Sequence, residues 1–151
     1  MPQTAPPPQQ LPITARWCLE AAAPARSSRP PCIDLEVART PEQQRLGLMA
    51  RPPLPPLRGM WFPFPRPQPL RFWMYRTPSP LDMVFLRGDA VIAIAADAQP
   101  CLRLPCRDYG PDADADGVVE LAAGEAKRLG IQVGSRALIQ PFSTPTPAAG
   151  R

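Results

Sequence analysis

The sequence predicts an α+β domain, a compact and mostly antiparallel β-sheet of barrel-like form with two short helices. Short apolar runs of strand length are separated by turn-forming residues. The chain has 25 prolines among 151 residues, and many lie between those runs, where a missing backbone N–H breaks no ladder. Signals for a helix occur at two places. The length suits one domain, since a domain usually takes roughly 100–200 residues.

Composition divides the chain into three parts. Residues 1–31 are rich in proline, alanine, glutamine and serine, and they cannot bury enough apolar surface to offset the entropy of ordering. They are predicted to form a flexible arm, whose one apolar cluster, Trp17-Cys18-Leu19, could dock on the domain. Residues 32–140 are the predicted domain, and the Pro/Thr/Ala-rich residues 141–151 are predicted to be a mobile tail.

Hydrophobic patterns and turn residues place the elements of the domain. Thr40 as N-cap and Pro41 at the first helical position predict a helix that runs to about Ala50. A second short helix, residues 124–129, is ended by Gly130. The predicted strands are 33–37, 59–62, 70–75, 81–86, 90–95, 118–121 and 135–139.

The stretch from Gly59 to Asp82 is the expected centre of the core. It contains two of the three tryptophans and three of the five phenylalanines. Aromatic side chains each bury on the order of 150–250 Å². The Pro-rich residues 63–69 are predicted to be a tight connection between the apolar strands on either side.

Charge and composition exclude several functions. The chain has 17 basic and 13 acidic residues, a formal net charge of +4, and the basic residues are dispersed. Because a nucleic-acid interface would show a clustered basic stripe, we predict no nucleic-acid partner. Histidine is absent, which excludes serine or cysteine triads with a histidine base and zinc sites that need imidazole. No stretch approaches the ~20 apolar residues of a transmembrane helix.

Cys101 and Cys106 are separated by four residues that include a proline. The spacing suits a small disulfide; two unreactive thiols, or two thiolates for a soft metal or redox chemistry, are the alternatives. A four-ligand zinc site would also need Cys18 and Cys32. A disulfide favours export to an oxidising compartment. The start of the chain, however, lacks the pattern of a signal peptide, which indicates the cytoplasm.

Asp112, Asp114 and Asp116 place carboxylates at alternate positions before Gly117, as at the beginning of a calcium loop. The EF-hand pattern requires a glutamate at its twelfth position, where this chain has Ala123. The pattern therefore favours a solvated acidic turn, with a partly hydrated calcium site as the alternative.

Several charged and aromatic side chains lie within apolar segments. A charge near a core is costly unless it is paired, so an ion pair between Asp82 and an arginine that locks the strands is one interpretation. The other is a small pocket in which arginine and aspartate fix a polar ligand. Asp82 and Glu120 are also the candidates for a general acid or base. The residues predicted to bind a ligand are Arg45, Trp73, Met74, Arg76 and Asp82.

A set of short motifs is distributed along the domain. Its members are Thr40-Pro41-Glu42, Arg45, Gly47-Leu48-Met49, Gly59-Met60, Phe72-Trp73-Met74, Thr77, Leu81-Asp82, Phe85, Glu120 and Gly134. In order and rough spacing they resemble the DUF192 family of bacteria and archaea, over about residues 33–140. The resemblance implies a compact, β-rich α+β fold and no particular activity. Many members of that family carry an export signal, which this sequence lacks.

These observations favour a non-catalytic module that binds a small molecule or a protein and needs no cofactor, since no nucleophile lies beside a base. The first alternative is an enzyme that uses Asp82 or Glu120 as general acid or base on a small anionic substrate. The second is soft-metal handling by the cysteine loop.

Overall fold

The computed structural model describes residues 6–20 and 30–142 of the chain. Its strands are β1 (Ile13–Cys18), β2 (Cys32–Val37), β3 (Arg58–Gln68), β4 (Phe72–Trp73), β5 (Leu81–Arg87), β6 (Ala90–Ala98), β7 (Asp108–Tyr109), β8 (Ala115–Ala122) and β9 (Ile139–Pro141). The helices are α1 (Pro41–Leu46) and α2 (Glu125–Arg128). With six and four residues, neither of these described helices has the length or the apolarity to span a membrane.

Seven strands form one mixed sheet in the order β6-β5-β8-β3-β2-β1-β9. β2 and β3 run parallel, and the other neighbouring pairs of this sheet are antiparallel. β4 and β7 form a separate antiparallel pair. The predicted α+β class is therefore confirmed. The sheet is not closed into a barrel, because β6 and β9 lie at its two opposite edges.

Alternation along the strands places an apolar layer on each face of the sheet. The neighbours Val118 and Val119 of β8, for example, belong to different layers. The first layer includes Trp17, Ile33, Leu35, Val84, Val119 and Leu121. The second layer includes Leu48, Met60, Phe62, Met74, Met83, Phe85 and Val118. The second layer packs beneath the residues that follow α1, and the candidate site lies there.

The segment that the sequence predicts as a flexible arm contains a strand of the sheet. Ile13–Cys18 forms β1, which pairs with β2 on one side and β9 on the other. Trp17 is fully buried, and its indole N–H donates a hydrogen bond to the carbonyl of Arg136 at 3.2 Å. The folded unit thus begins before residue 32. Other parts of the predicted arm and tail lie outside the described residues, at 1–5, 21–29 and 143–151.

β3 is longer than predicted because it continues through the Pro-rich segment to Gln68. Its pairing with β2 ends at Trp61, and its register with β8 shifts between Pro63 and Gln68. The prolines after Phe62 therefore lie where the ladder on both sides is ended or interrupted, and their missing N–H groups cost little there. The apolar run after this segment contributes only the short strand β4 among the described residues.

α1 begins where the sequence predicts and ends earlier than predicted. The Thr40 hydroxyl accepts a hydrogen bond from the Gln43 N–H at 3.1 Å, and the Gln43 side chain accepts one from the Thr40 N–H at 3.2 Å, which completes a capping box. The helix ends at Leu46, whereas the sequence predicts its end near Ala50. Gly47 has a φ of 45°, a conformation that glycine adopts without a steric penalty.

The remaining predicted elements lie close to their expected places. The β5–β6 hairpin, β8 and α2 are present, and Gly130 follows α2 with a φ of 74°. The last strand is shifted, since β9 covers Ile139–Pro141 instead of residues 135–139. Ser135 and Ala137 instead hydrogen-bond with Val91 and Asp89 at the start of the edge strand β6.

Both pairs of cysteines form disulfides. The Cys101–Cys106 bond is the first of the alternatives that the sequence suggests for this loop. The Cys18–Cys32 bond is unanticipated, and it joins facing residues of β1 and β2. The Cys18–Cys32 bond therefore ties the N-terminal strand to the rest of the sheet.

Loss of the Cys18–Cys32 bond should destabilise the protein more than loss of the Cys101–Cys106 bond. The Cys18–Cys32 bond closes a separation of 14 residues and the Cys101–Cys106 bond a separation of 5. The entropy of loop closure therefore predicts a stabilisation of about 3 kcal/mol for Cys18–Cys32 and about 2 kcal/mol for Cys101–Cys106. Urea unfolding without reductant would compare paired Cys→Ser replacements at each bond with the wild type. An equal or smaller loss for the Cys18 and Cys32 pair would contradict this ranking.

Candidate functional site

A cleft of about 280 Å³ lies over the second apolar layer. Its walls come from α1 and the residues after it, from β3, and from the segment that contains β4. The Gln44 side chain ties α1 to β3, because its amide donates hydrogen bonds to the carbonyls of Ala38 and Pro63 at 3.1 and 3.0 Å. The position of one wall relative to the other is therefore fixed by hydrogen bonds as well as by packing.

Aromatic rings form much of the lining. Phe62 and Phe64 are two residues apart on β3 and so fall on the same face of the strand. The Phe72 ring lies edge-to-face against both, with ring centroids 5.0 and 6.4 Å away. Trp73 stands at the mouth with 45% of its surface exposed and packs against Tyr75 at 5.3 Å. Interlocked rings of this kind make a rigid apolar wall.

Glu120 is the one acidic residue that lines the cleft in the described part of the chain. It lies on β8 near the middle of the sheet, and the residues that face it on β3 and β5 are Met60 and Met83. The residue is 4% exposed, and its carboxyl has no hydrogen-bond or ion-pair partner among the described residues. Burial raises the pKa of Glu120 to about 8. The carboxyl is therefore mostly protonated at neutral pH.

Two arginines line the cleft, and both have partners. Arg45 donates hydrogen bonds to the Glu42 carboxylate at 2.7 and 3.2 Å, which holds the pKa of Glu42 below its usual value. Arg71 donates to the carbonyl of Gly110 at 3.0 Å and lies 3.9 Å from the Asp108 carboxylate. The cations are more than half exposed. The mouth of the cleft therefore carries two arginines whose charges are balanced by neighbouring acids.

The structure brings two of the five residues predicted to bind a ligand, Arg45 and Trp73, to this cleft. Met74 is 1% exposed and belongs to the second apolar layer. The Arg76 guanidinium packs on the Tyr75 ring, 5.1 Å from its centroid, and does not line the cleft. The predicted cluster is thus divided between the cleft, the core and the surface.

Asp82 lies on the opposite face of the sheet from Glu120. Its carboxylate accepts hydrogen bonds from the backbone N–H groups of Asp97 and Ala126, at 2.9 and 3.0 Å. It is 1% exposed, and no arginine pairs with it among the described residues. Asp82 therefore ties the start of α2 to the β5–β6 hairpin through backbone contacts, which replaces the predicted bridge to an arginine.

The residues considered for metals do not assemble into a site. Asp116 accepts hydrogen bonds from the Gly88 N–H at 3.0 and 3.1 Å, and Asp112 and Asp114 are exposed. Within residues 6–20 and 30–142, no group of three or more His, Cys, Asp or Glu side chains could hold a metal ion. In their disulfide form the cysteines of the 101–106 loop offer no thiolate to a soft metal.

The sequence indicates the aromatic residues of the cleft without revealing their role. Phe62, Phe64 and Phe72 belong to the stretch predicted as the centre of the core, where they do pack, but they also line a surface opening. Arg71 gives no signal in the sequence, because its place at the cleft depends on the pairing of β4 with β7. Glu120 could be found from the sequence, because it is a charged residue within the apolar run of β8.

Fold and site together define a β-rich α+β domain with an open mixed sheet and an aromatic cleft that contains one buried carboxyl. The sequence pattern of the DUF192 family, described as "Uncharacterized ACR", matches residues 21–139, and the chain belongs to this family. No curated protein matches the chain.

Two solved structures are similar to this chain. One, from Sinorhizobium meliloti 1021, is described as a "putative transcription regulator"; it is 30% identical, with a TM-score of 0.73, over 88% of this chain and 97% of that one. The other, a protein of unknown function from Novosphingobium aromaticivorans DSM 12444, is 31% identical, with a TM-score of 0.71, over 86% of each chain. The fold is thus shared with each of these two structures over most of the chain.

Proposed function

We propose that this protein is a non-catalytic binding module, whose cleft takes a small, largely apolar ligand with one polar group directed at Glu120. The observation that supports the proposal most strongly is a buried carboxyl without a partner in an aromatic cleft. Among the described residues, the fully enclosed polar atoms without a partner are Arg51 Nε and Arg58 Nε, so the carboxyl oxygens of Glu120 retain accessible surface toward the cleft. A ligand in the cleft can therefore reach them and donate the hydrogen bond that the described side chains do not.

The dimensions of the cleft restrict the ligand. Ligand pockets usually enclose about 300–1,000 Å³ and combine an apolar lining with few polar groups. At about 280 Å³, this cleft lies just below that range. A single substituted aromatic ring is the size of ligand that it suits.

The neutral probe 2-phenylethanol would test the proposal by an NMR titration of backbone amides. We expect saturable shifts at Gly47 and Trp73, with a dissociation constant in the millimolar range for a molecule of this size. Leu46→Trp places a large side chain in the lining of the cleft and should abolish the shifts. Leu102→Trp is the matched control, because Leu102 is 80% exposed and lies outside the cleft.

The outcomes are distinct. Shifts that disappear in Leu46→Trp and persist in Leu102→Trp would support binding in the cleft. Shifts that persist in both variants would place binding elsewhere and contradict the proposal, as would the absence of saturable shifts with 2-phenylethanol and with a cationic aromatic probe.

One observation favours a second function, an enzyme in which Glu120 is a general acid or base. Burial raises the pKa of Glu120 to about 8. A general acid or base is most effective when its pKa lies near the pH at which the enzyme works. This alternative predicts that Glu120→Gln abolishes turnover of a substrate while its binding persists. Asp82 is the less suitable candidate, since its carboxylate already accepts two backbone hydrogen bonds on the other face of the sheet.

A further inference from the structure

We propose that the ligand of this cleft is an organic ammonium ion, which the carboxylate of Glu120 binds within the aromatic lining. The inference rests on the proposed function and names the chemical class of its ligand.

No side chain of the described residues donates a hydrogen bond to the carboxyl of Glu120 in this cleft. The residues that face Glu120 on the adjacent strands, Met60 and Met83, have no N–H or O–H group in their side chains. Among the polar side chains of the lining, Gln44 donates to the carbonyls of Ala38 and Pro63, Thr77 to that of Tyr75, Arg45 to the Glu42 carboxylate and Arg71 to the carbonyl of Gly110. A ligand with a donor group can therefore supply a hydrogen bond that these side chains do not make to Glu120.

The surroundings of the carboxyl favour a charged donor over a neutral one. Aromatic rings attract cations through the negative charge of their π faces, and Phe62, Phe72 and Trp73 line the same cleft. A hydrogen bond between an ammonium and a carboxylate is roughly twice as strong as one between neutral groups. Arg45 and Arg71 oppose a cation weakly, because each is exposed and has an acidic neighbour.

Binding of an ammonium ion should release a proton. Glu120 is mostly protonated at pH 7, since burial raises its pKa to about 8, and an ion pair requires its carboxylate form. A pKa near 8 corresponds to release of about 0.9 proton per ligand at pH 7. The other charged groups at the cleft are Arg45 with its partner Glu42 and Arg71 with its neighbour Asp108.

Calorimetric titrations with two probes of the same shape would test the inference. The probes are 2-phenylethylamine, an ammonium ion at neutral pH, and 2-phenylethanol, its neutral counterpart. At pH 8 we expect the amine to bind at least about tenfold more tightly than the alcohol. Titrations at pH 7 in phosphate and in Tris, which differ in ionisation enthalpy, should give release of about 0.9 proton with the amine and none with the alcohol.

Two variants and a pH series identify the group responsible. Glu120→Gln should abolish both the preference for the amine and the release of the proton, whereas Asp82→Asn, a buried carboxyl on the other face, should retain both. In the wild type, the affinity for the amine should rise roughly five- to tenfold per pH unit from pH 6 to pH 8, a result that does not depend on any variant folding.

Each contrary result has a separate meaning. Equal affinities for the amine and the alcohol would overturn the ammonium inference and leave the binding cleft in place. Binding of neither probe would overturn the proposed function as well. A preference for the amine that persists in Glu120→Gln, or that comes without release of a proton, would show that another group attracts the cation and would also overturn the inference.

Discussion

Replacement of Trp17 by alanine should lower the free energy of unfolding by about 3–5 kcal/mol, the usual cost of removing a fully buried large aromatic side chain. Trp17 is fully buried in the first apolar layer, and its indole N–H donates to the carbonyl of Arg136. Alanine would leave a cavity there and a carbonyl without its donor. Urea unfolding followed by far-UV circular dichroism would measure the change.

Trp73→Ala is the matched control for this prediction. The Trp73 side chain is 45% exposed at the mouth of the cleft, so its removal should cost less than about 1 kcal/mol. Equal losses in the two variants would contradict the buried role of β1. A negligible loss in Trp17→Ala would mean that Ile13–Cys18 is not part of the cooperative unit.

The elements that the sequence predicts well are those with local causes. The alternation of Ile33, Leu35 and Val37 with acidic residues places them in one apolar layer, as the structure shows. Thr40 and Gln43 form their capping box within four residues. Such patterns depend on neighbours in the chain, so a single sequence contains the information for them.

β1 escapes prediction because its stability comes from distant residues. Trp17 donates its hydrogen bond to a residue 119 positions away, and Cys18 forms its disulfide across a gap of 14. Averaged over residues 1–31, the composition is that of a flexible arm, and six residues of strand barely change the average. The same reason applies to β3, where the prolines are tolerated because of the registers of its partners β2 and β8.

The candidate site depends on register in the same way. The sequence shows that Asp82 and Glu120 are charges within apolar runs, and so treats them alike. In the sheet Glu120 faces Met83, the residue after Asp82, and therefore the two carboxyls lie on opposite faces. A shift of one residue between β5 and β8 would reverse that assignment, and no local pattern determines it.

The stability of the wild type should fall as the pH rises from about 4.5 to 8, because of Glu120. The folded protein holds a proton on this carboxyl up to a pKa of about 8, whereas the unfolded chain loses it near the ordinary glutamate pKa of 4.5. Between these values the folded state binds more protons than the unfolded state, so the free energy of unfolding decreases as the pH increases. The loss between pH 5 and pH 9 should be roughly 4 kcal/mol.

Glu120→Gln isolates this effect, since an amide of the same shape cannot ionise. The variant should differ little from the wild type at pH 5 and should be more stable by roughly 4 kcal/mol at pH 9, as measured by urea unfolding at each pH. Glu125 has the opposite pH dependence, because hydrogen bonds from Arg128 hold its pKa below the usual value. The stability that Glu125 contributes is present above about pH 4.5 and is lost only as the pH falls further. Parallel pH curves for the variant and the wild type would show that the carboxyl of Glu120 is solvated in the cleft, and would remove the physical basis for a ligand that supplies its missing partner.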